Sequence, residues 1–316
     1  MFDIVRKRYW FFALSLHVII PGLISMGIHW AQTGAPLPLA IDFAGGSLLE
    51  LQFKATGAIE PGDVQTILAQ NGFEDSLVQT SGSNDIVIRA QEMNSAAKAR
   101  IESAMESRYG AFTELRFESV GPAVGAEVAR AAMLAVAMAA LGILVYIWFV
   151  FRQVPNAFRY GTAAILAMLH DVLVVLGLES IFGFAFGWQV DSLFLTALLT
   201  VIGFSVHDTI VVFDRIRENM FVYRGQDFEQ IVNHSIVQTL DRSINTQLMV
   251  MFPLLAMVLF GGVTIRHFVT ILLLGVLSGT YSSIFNASPI LVVWEKREWR
   301  TWFRRQTPVA VQQSRP

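Results

Sequence analysis

The chain has 316 residues, of which 54% are hydrophobic and only 15% charged, with a net charge of −2 and no cysteine. Ordinary soluble domains carry about 25% charged residues, so this balance points to a surface that faces lipid. The near-neutral charge offers no basic field to nucleic acid. The lack of cysteine excludes disulfides, thiol nucleophiles, iron–sulfur clusters and thiolate zinc sites together.

Six apolar stretches are long enough to cross a hydrocarbon core, which takes about 20 helical residues. They are Tyr9–Ile28, Ala131–Phe151, Gly161–Phe182, Ser192–Phe213, Ile244–Phe260 and Phe268–Val293. The first has a basic start like a signal peptide, but its apolar run is longer than the usual core of about 7–15 residues and no small-x-small cleavage pattern follows. It reads as a retained anchor. The fifth is short, and lengthens if Arg242 and Ser243 belong to its helix.

Between spans one and two the composition becomes that of a soluble α+β domain. Leu49, Leu51 and Phe53 alternate as in a strand, and Pro61 suits the first turn of a helix that closes at Asn71–Gly72. Leu77–Gln79 and Ile86–Arg89 flank Ser81-Gly82-Ser83-Asn84, a hairpin turn. A second helix starts near Asn94–Ser95 and ends at Gly110, before a strand over Phe112–Phe117. Strand, helix, strand, strand, helix, strand is the ferredoxin-like order. The expected organisation is a six-helix membrane bundle with an inserted ferredoxin-like domain. It comprises an N-terminus and first span (1–31), the inserted domain (32–130), spans two to six (131–294) and a basic tail (295–316).

Lys and Arg set the orientation. Arg6, Lys7 and Arg8, then Arg152 and Arg159, Arg215, Arg217 and Arg224, and Lys296, Arg297, Arg300, Arg304 and Arg305 all fall on one side of a six-span chain. The opposite short loops hold only Arg266, near span six. Both termini are therefore expected in the cytoplasm and the inserted domain outside.

Ionisable groups inside spans are the informative ones, because a charge at mid-membrane costs at least about 2.5–3.5 kcal/mol. His170 and Asp171 fall near the middle of span three. His207 and Asp208 fall in the cytoplasmic half of span four, with Ser205 one turn earlier on the face of Asp208. Glu179, near the outer end of span three, reads as a solvated end group. Arg242, at the cytoplasmic entrance of span five, either snorkels to headgroups or partners Asp208. A protonatable carboxylate beside a fixed cation can alternate between paired and neutral states, and helices can move with that alternation. Other patterns carry less. Ser95-Ala96-Ala97-Lys98 spells S-x-x-K, but a helix start explains it. The six histidines are scattered without metal-ligand spacing, and no phosphate-binding glycine loop occurs.

Several stretches resemble the SecF family, a branch of the proton-driven resistance–nodulation–division superfamily. Asp42-Phe43-Ala44-Gly45-Gly46 resembles its D-F-x-G-G entry to the outer domain, and His170-Asp171-Val172 its H-D-V in span three. The longest match runs from Gly203 through Asp208, Asp214, Arg215 and Arg217 to Asn219. Gln238–Thr246, Phe260-Gly261-Gly262 and Gly279–Ile284 continue the resemblance. His207 departs from it, since the family more often carries Asn there; a histidine could itself titrate near neutral pH. The resemblance implies a non-enzymatic subunit of the bacterial inner membrane, without cofactor, that uses proton flow to draw exported chains from the SecYEG channel. It implies SecD as partner, with YidC and YajC as further candidates, and an unfolded polypeptide and membrane lipid as contacts. Asp208 and Arg242 would conduct or couple protons, with His207, Asp171 and His170 as further candidates. A small-molecule exporter, a passive scaffold and an intramembrane protease remain the competing readings.

Because the chain lacks cysteine, single cysteines test the orientation cleanly. Positions within 59–95 are expected to react with impermeant reagent in intact cells, whereas Gly225→Cys and Thr307→Cys stay unlabelled. External labelling at Gly225→Cys overturns the six-span topology.

Overall fold

The computed structural model describes residues 3–54, 59–74, 76–81, 84–152 and 157–298. Two residues of the expected hairpin turn, Gly82 and Ser83, and the tail residues Arg300, Arg304 and Arg305 lie outside these. The chain forms two compact units, one of residues 1–36, 139–182 and 196–316, the other of residues 37–138 and 183–195.

The second unit contains the sheet. After a short helix α2 (Ile41–Ala44) come β1 (Gly46–Phe53), α3 (Pro61–Gln70), β2 (Leu77–Ser81), β3 (Asp85–Ala90), α4 (Ser95–Tyr109) and β4 (Phe112–Val120), α1 being the first span, Arg8–Thr33. The strand order is β2-β3-β1-β4, with every neighbour antiparallel. This is the ferredoxin-like arrangement anticipated from the sequence. Side chains two apart share a strand face, so Leu49, Leu51 and Phe53 of β1 and Ile86 and Ile88 of β3 line one side. Val64 and Leu68 of α3 and Ile101 and Met105 of α4 cover it. Asn94 caps α4, its side-chain oxygen accepting from the Ala97 amide at 2.8 Å.

The entry to β1 needs glycine. Gly45 and Gly46 have φ of 74° and 120°, in the region where a side chain is strained. A Cβ on Gly45 would also fall 2.8 Å from the Cα of Pro122, the first residue of α5 (Pro122–Phe151). Just before this pair, Asp42 accepts from the amide and hydroxyl of Ser192 at 2.9 and 2.6 Å. Ser192 opens α7 (Ser192–Val222); Asp191 caps that helix, accepting from the Phe194 amide at 2.7 Å, and Asp42 takes up the further free amide of Ser192. Residues 38 and 40 also bond the backbone of Val190. The D-F-x-G-G segment thus gathers the starts of β1, α5 and α7.

Six helices are long and apolar enough to cross a membrane: Val5–Thr33, Pro122–Phe151, Ala157–Phe186, Ser192–Val222, Phe228–Phe260 and Ile265–Glu295. They run beyond the apolar cores expected from sequence, because a helix continues where its residues become polar and the membrane ends. The difference is largest for α8 (Phe228–Phe260), which includes Arg242 and Ser243. The sixth span is α9 (Val263–Ser282), a π-helical turn (Ser283–Ala287) and α10 (Ser288–Glu295). About half of the apolar window is buried in α6 (Ala157–Phe186), α7 and the sixth span, against 11% in α5 and α8. The inner trio is therefore α6, α7 and α9. Arg8 ties the start of the first span to Glu229 at 3.0 Å and to Glu298.

The first and third spans meet through glycine, as membrane helices often do. A Cβ on Gly22 would lie 2.6 Å from the Cα of Gly177, whereas at Gly27 it would meet nothing within 4 Å. Gly22→Leu is expected to destabilise the detergent-solubilised protein by about 1–3 kcal/mol, read as a lower melting temperature, while Gly27→Leu leaves it unchanged.

Candidate functional site

The inner trio converges on Asp171. Its side chain is fully buried, and three hydroxyls reach it from two other helices: Ser205 of α7 at 2.5 Å, and Ser278 and Ser282 of α9 at 2.8 and 2.6 Å. The His170 Nδ1 stands 3.0 Å from the same carboxylate, while its Nε2 is buried without a hydrogen-bond partner. Two residues four apart lie on one helix face, so Ser278 and Ser282 form a single polar stripe along α9. The π turn follows at once. Ser283, its first residue, donates to the Ser205 carbonyl at 3.0 Å and lies 2.9 Å from Thr209. A carboxylate in lipid must find its donors within the protein, and here α6, α7 and α9 supply them.

Ser205 therefore serves Asp171 and not Asp208, contrary to the reading from its spacing. Residues three apart on a helix differ by about 60° in direction, enough here to turn Ser205 to the inner trio and Asp208 toward α8. Asp208 is 3% exposed, and its carboxylate accepts from the Gln247 side-chain amide of α8. His207 is mostly exposed, with Nδ1 3.7 Å from the Asp208 carboxylate. Thr200, Gly203, Phe204, His207, Thr246 and Gln247 line a groove of about 340 Å³ beside Asp208. Arg242 is exposed, and among the described residues no ion pair joins it to Asp208. It lies one turn before Thr246, whose hydroxyl donates to the Arg242 carbonyl at 2.9 Å, so it shares the groove-lining face of α8. The Ser243 hydroxyl and Gln247 Oε1 are buried without hydrogen-bond partners.

The remainder of the long motif fastens α7 to α8. Arg215 donates to Gln238 at 2.7 Å and pairs with Glu218. Asn219, 3% exposed, donates to Ser235 and Gln238 at 2.8 and 2.9 Å. Asp214 and Arg217 pair with each other. Arg215 and Asn219 thus join α7 to α8, whereas the Asp214–Arg217 pair stays within α7.

Glu179 is not a solvated end group. It is fully buried in α6 and lies 2.9 Å from the Nε2 of His267 in α9, with its second oxygen unpartnered. Hydropathy alone placed it at the end of a span, but the helix packed against it starts there and covers it. Gln247, Ser278 and Ser282 were also missed. The i, i+4 serines within an apolar run were a visible signal; Gln247 had none. Among the described residues no cluster of His, Asp and Glu forms a metal-ligand set.

Asp171 has four neighbours that lose their acceptor if it is removed, and Asp208 has one strong one. Hydrogen bonds to charged groups contribute about 1.5–3 kcal/mol each, so Asp171→Ala is expected to lower the melting temperature of the solubilised protein clearly more than Asp208→Ala. Equal losses would mean that the hydroxyl cage does not hold the trio together.

Residues 100–297, more than half of the chain, match the family described as protein export membrane protein SecD/SecF, C-terminal, and residues 30–56 match the SecD/SecF GG motif. The chain is 56% identical over 307 residues to the protein translocase subunit SecF of Anaerolinea thermophila, covering 96% of this chain and 98% of that one. It is 52% identical over 322 residues to the SecF of Thermobaculum terrenum, covering 98% and 99%. Among solved structures, SecDF from Thermus thermophilus matches with a TM-score of 0.79 at 31% identity, over 94% of this chain but 39% of the SecDF chain. A SecDF structure in a super-membrane-facing form matches with a TM-score of 0.65 at 30% identity, again over 39% of its length. Family motifs, six membrane-length helices and near-full-length identity agree: the chain belongs to the SecD/SecF family of protein-export membrane proteins, as a SecF-type translocase subunit.

Proposed function

We propose that this subunit couples proton movement to late-stage translocation of exported polypeptides across the inner membrane, acting with a SecD half. The observation that carries the reading is Asp208: a buried carboxylate in a membrane-length helix, held by a neutral amide, beside a groove. Its charged form is costly in that setting, and taking up a proton removes the cost. With Asp208 charged, Arg242 on the same face of α8 as Thr246 is attracted toward it and draws α8 against α7. With Asp208 neutral, that attraction fades and packing alone decides where the helices rest. A charge crossing 100 mV gains about 2.3 kcal/mol, enough to bias such an equilibrium. His207, beside the groove, and Asp171 with His170 are the further candidates for proton coupling.

The SecDF chains that match are more than twice as long as the matched part, and their remainder supplies the kind of second half expected here as SecD. The Asp208 groove and the sparsely packed faces of α5 and α8 are the surfaces it would cover. In this reading both termini are cytoplasmic and the sheet domain is outside, where it handles the emerging polypeptide. SecYEG, YidC and YajC are the further partners.

A passive scaffold is favoured by one feature, the complete hydrogen-bonding of Asp171, and by nothing at Asp208. Asp208→Asn separates the two readings, because it keeps shape and a hydrogen-bonding side chain but cannot cycle a proton. In reconstituted complexes at equal abundance it is expected to assemble with SecD yet lose the gradient-dependent part of export. Asp208→Glu retains part of it, Arg242→Lys part, since a point charge replaces the planar fork, and His207→Asn most of it. Wild-type export by Asp208→Asn with an intact response to the gradient would refute the mechanism.

A further inference from the structure

Glu179 and His267 belong to a layered seam that the Asp208 mechanism does not use. Along α6, Asp171, Val175 and Glu179 recur every four residues and so share one stripe. Along α9 the corresponding stripe is His267, Ile271, Gly275 and then Ser278 and Ser282. α7 adds Val201 one turn before Ser205. The pairings follow these stripes: Asp171 with Ser205, Ser278 and Ser282, then Gly275 against Val175 and Val201, then Glu179 with His267. Val175, Val201 and Ile271 are each 1% exposed. At a rise of 1.5 Å per residue, the two polar layers are roughly 12 Å apart, with an apolar layer between them.

From this geometry we infer that Glu179 and His267 form a second proton-binding station, separated from the Asp171 cage by a septum of Val175, Val201 and Gly275. The inference deepens the proton-coupling reading and rests on it. In the orientation proposed above, the station lies toward the outside, because Glu179 is four residues before Gly183, where α6 passes into the unit that contains the sheet. Its chemistry suits proton capture. A carboxylate and an imidazole 2.9 Å apart can hold one proton between them and a second on the unpartnered carboxylate oxygen. Ser180, adjacent to Glu179, lies 2.8 Å from Ser25 of α1. Arg266, next to His267, is exposed. Among the described residues Glu179 has no ionisable hydrogen-bond or ion-pair partner besides His267. The free oxygen leaves a place for a proton besides the one shared with His267.

The septum gives the station a gate. Gly275 leaves the space that the Val175 and Val201 side chains fill; a small parting of α6, α7 and α9 there would admit a file of water molecules between the two polar layers, along which a proton leaves the Glu179–His267 pair as another reaches the Asp171–His170 pair. No bonds other than those to the moving protons change.

The test uses the intact complex with SecD in vesicles. Infrared difference spectra between acid and alkaline medium, in light and heavy water, are expected to contain a protonated-carboxyl band that disappears in Glu179→Gln. Gradient-driven proton flux is expected to fall at least about tenfold in the same variant and to recover partly in Glu179→Asp, at unchanged SecD association. His267→Gln, which cannot titrate, is expected to move the band in pH. A Glu179→Gln complex with the wild-type band and flux overturns the inference, as does a His267→Gln complex in which the band titrates unchanged. Should Glu179→Gln fail to assemble, the band in wild type and His267→Gln still decides. The spectra need no export, so they report on Glu179 even if Asp208→Asn proves fully active and the coupling reading falls.

Discussion

A carboxylate buried in a membrane helix cannot be left to water, and the requirement to satisfy Asp171 organises much of the helix unit. Three serine hydroxyls from α7 and α9 close on it, which brings those helices into register with α6. Lipid gives helices little hydrophobic reason to associate with one another, so interhelical hydrogen bonds and close packing must do so. The π turn after Ser282 belongs to the same arrangement. Ser282 ends α9 facing Asp171, and the next residue, Ser283, opens the π turn and reaches the Ser205 carbonyl. The Gly22–Gly177 contact serves the first span in the complementary way, through packing alone.

Against that saturated site, Asp208 is under-provided. One neutral amide holds it, two buried polar atoms on the neighbouring helix lack partners, and a groove lies alongside. Equal burial with unequal hydrogen-bonding separates a group that fixes helices from one suited to change state. The Arg215, Gln238, Asn219 and Ser235 contacts hold the α7–α8 hairpin at its polar end.

The D-F-x-G-G segment answers a different constraint, backbone crowding. Two consecutive left-handed residues turn the chain into β1 beside the start of α5, and the aspartate four residues before the second glycine holds the first amide of α7.

Length, hydropathy and strand alternation were sufficient to read six spans and an inserted α+β domain from the sequence, since lipid admits few alternatives to a 20-residue apolar helix and alternation identifies the sheet face. Asp171 and Asp208 were legible for the same reason: a charge within an apolar run is costly and stands out. What surrounds them was not legible. Ser205 lies three residues from Asp208 and, by spacing, belonged to it; helix rotation gave it to Asp171 instead. Gln247 sits in an ordinary polar stretch of α8 and becomes a ligand only because α7 faces it. Glu179 looked like the wet end of a span until α9 covered it with His267. Each of these depends on which helix lies beside which, and one-dimensional patterning contains the phase of each helix but not its neighbour. The tertiary structure alone decided those pairings, because a buried polar group takes its partners from whatever packing brings within about 3 Å.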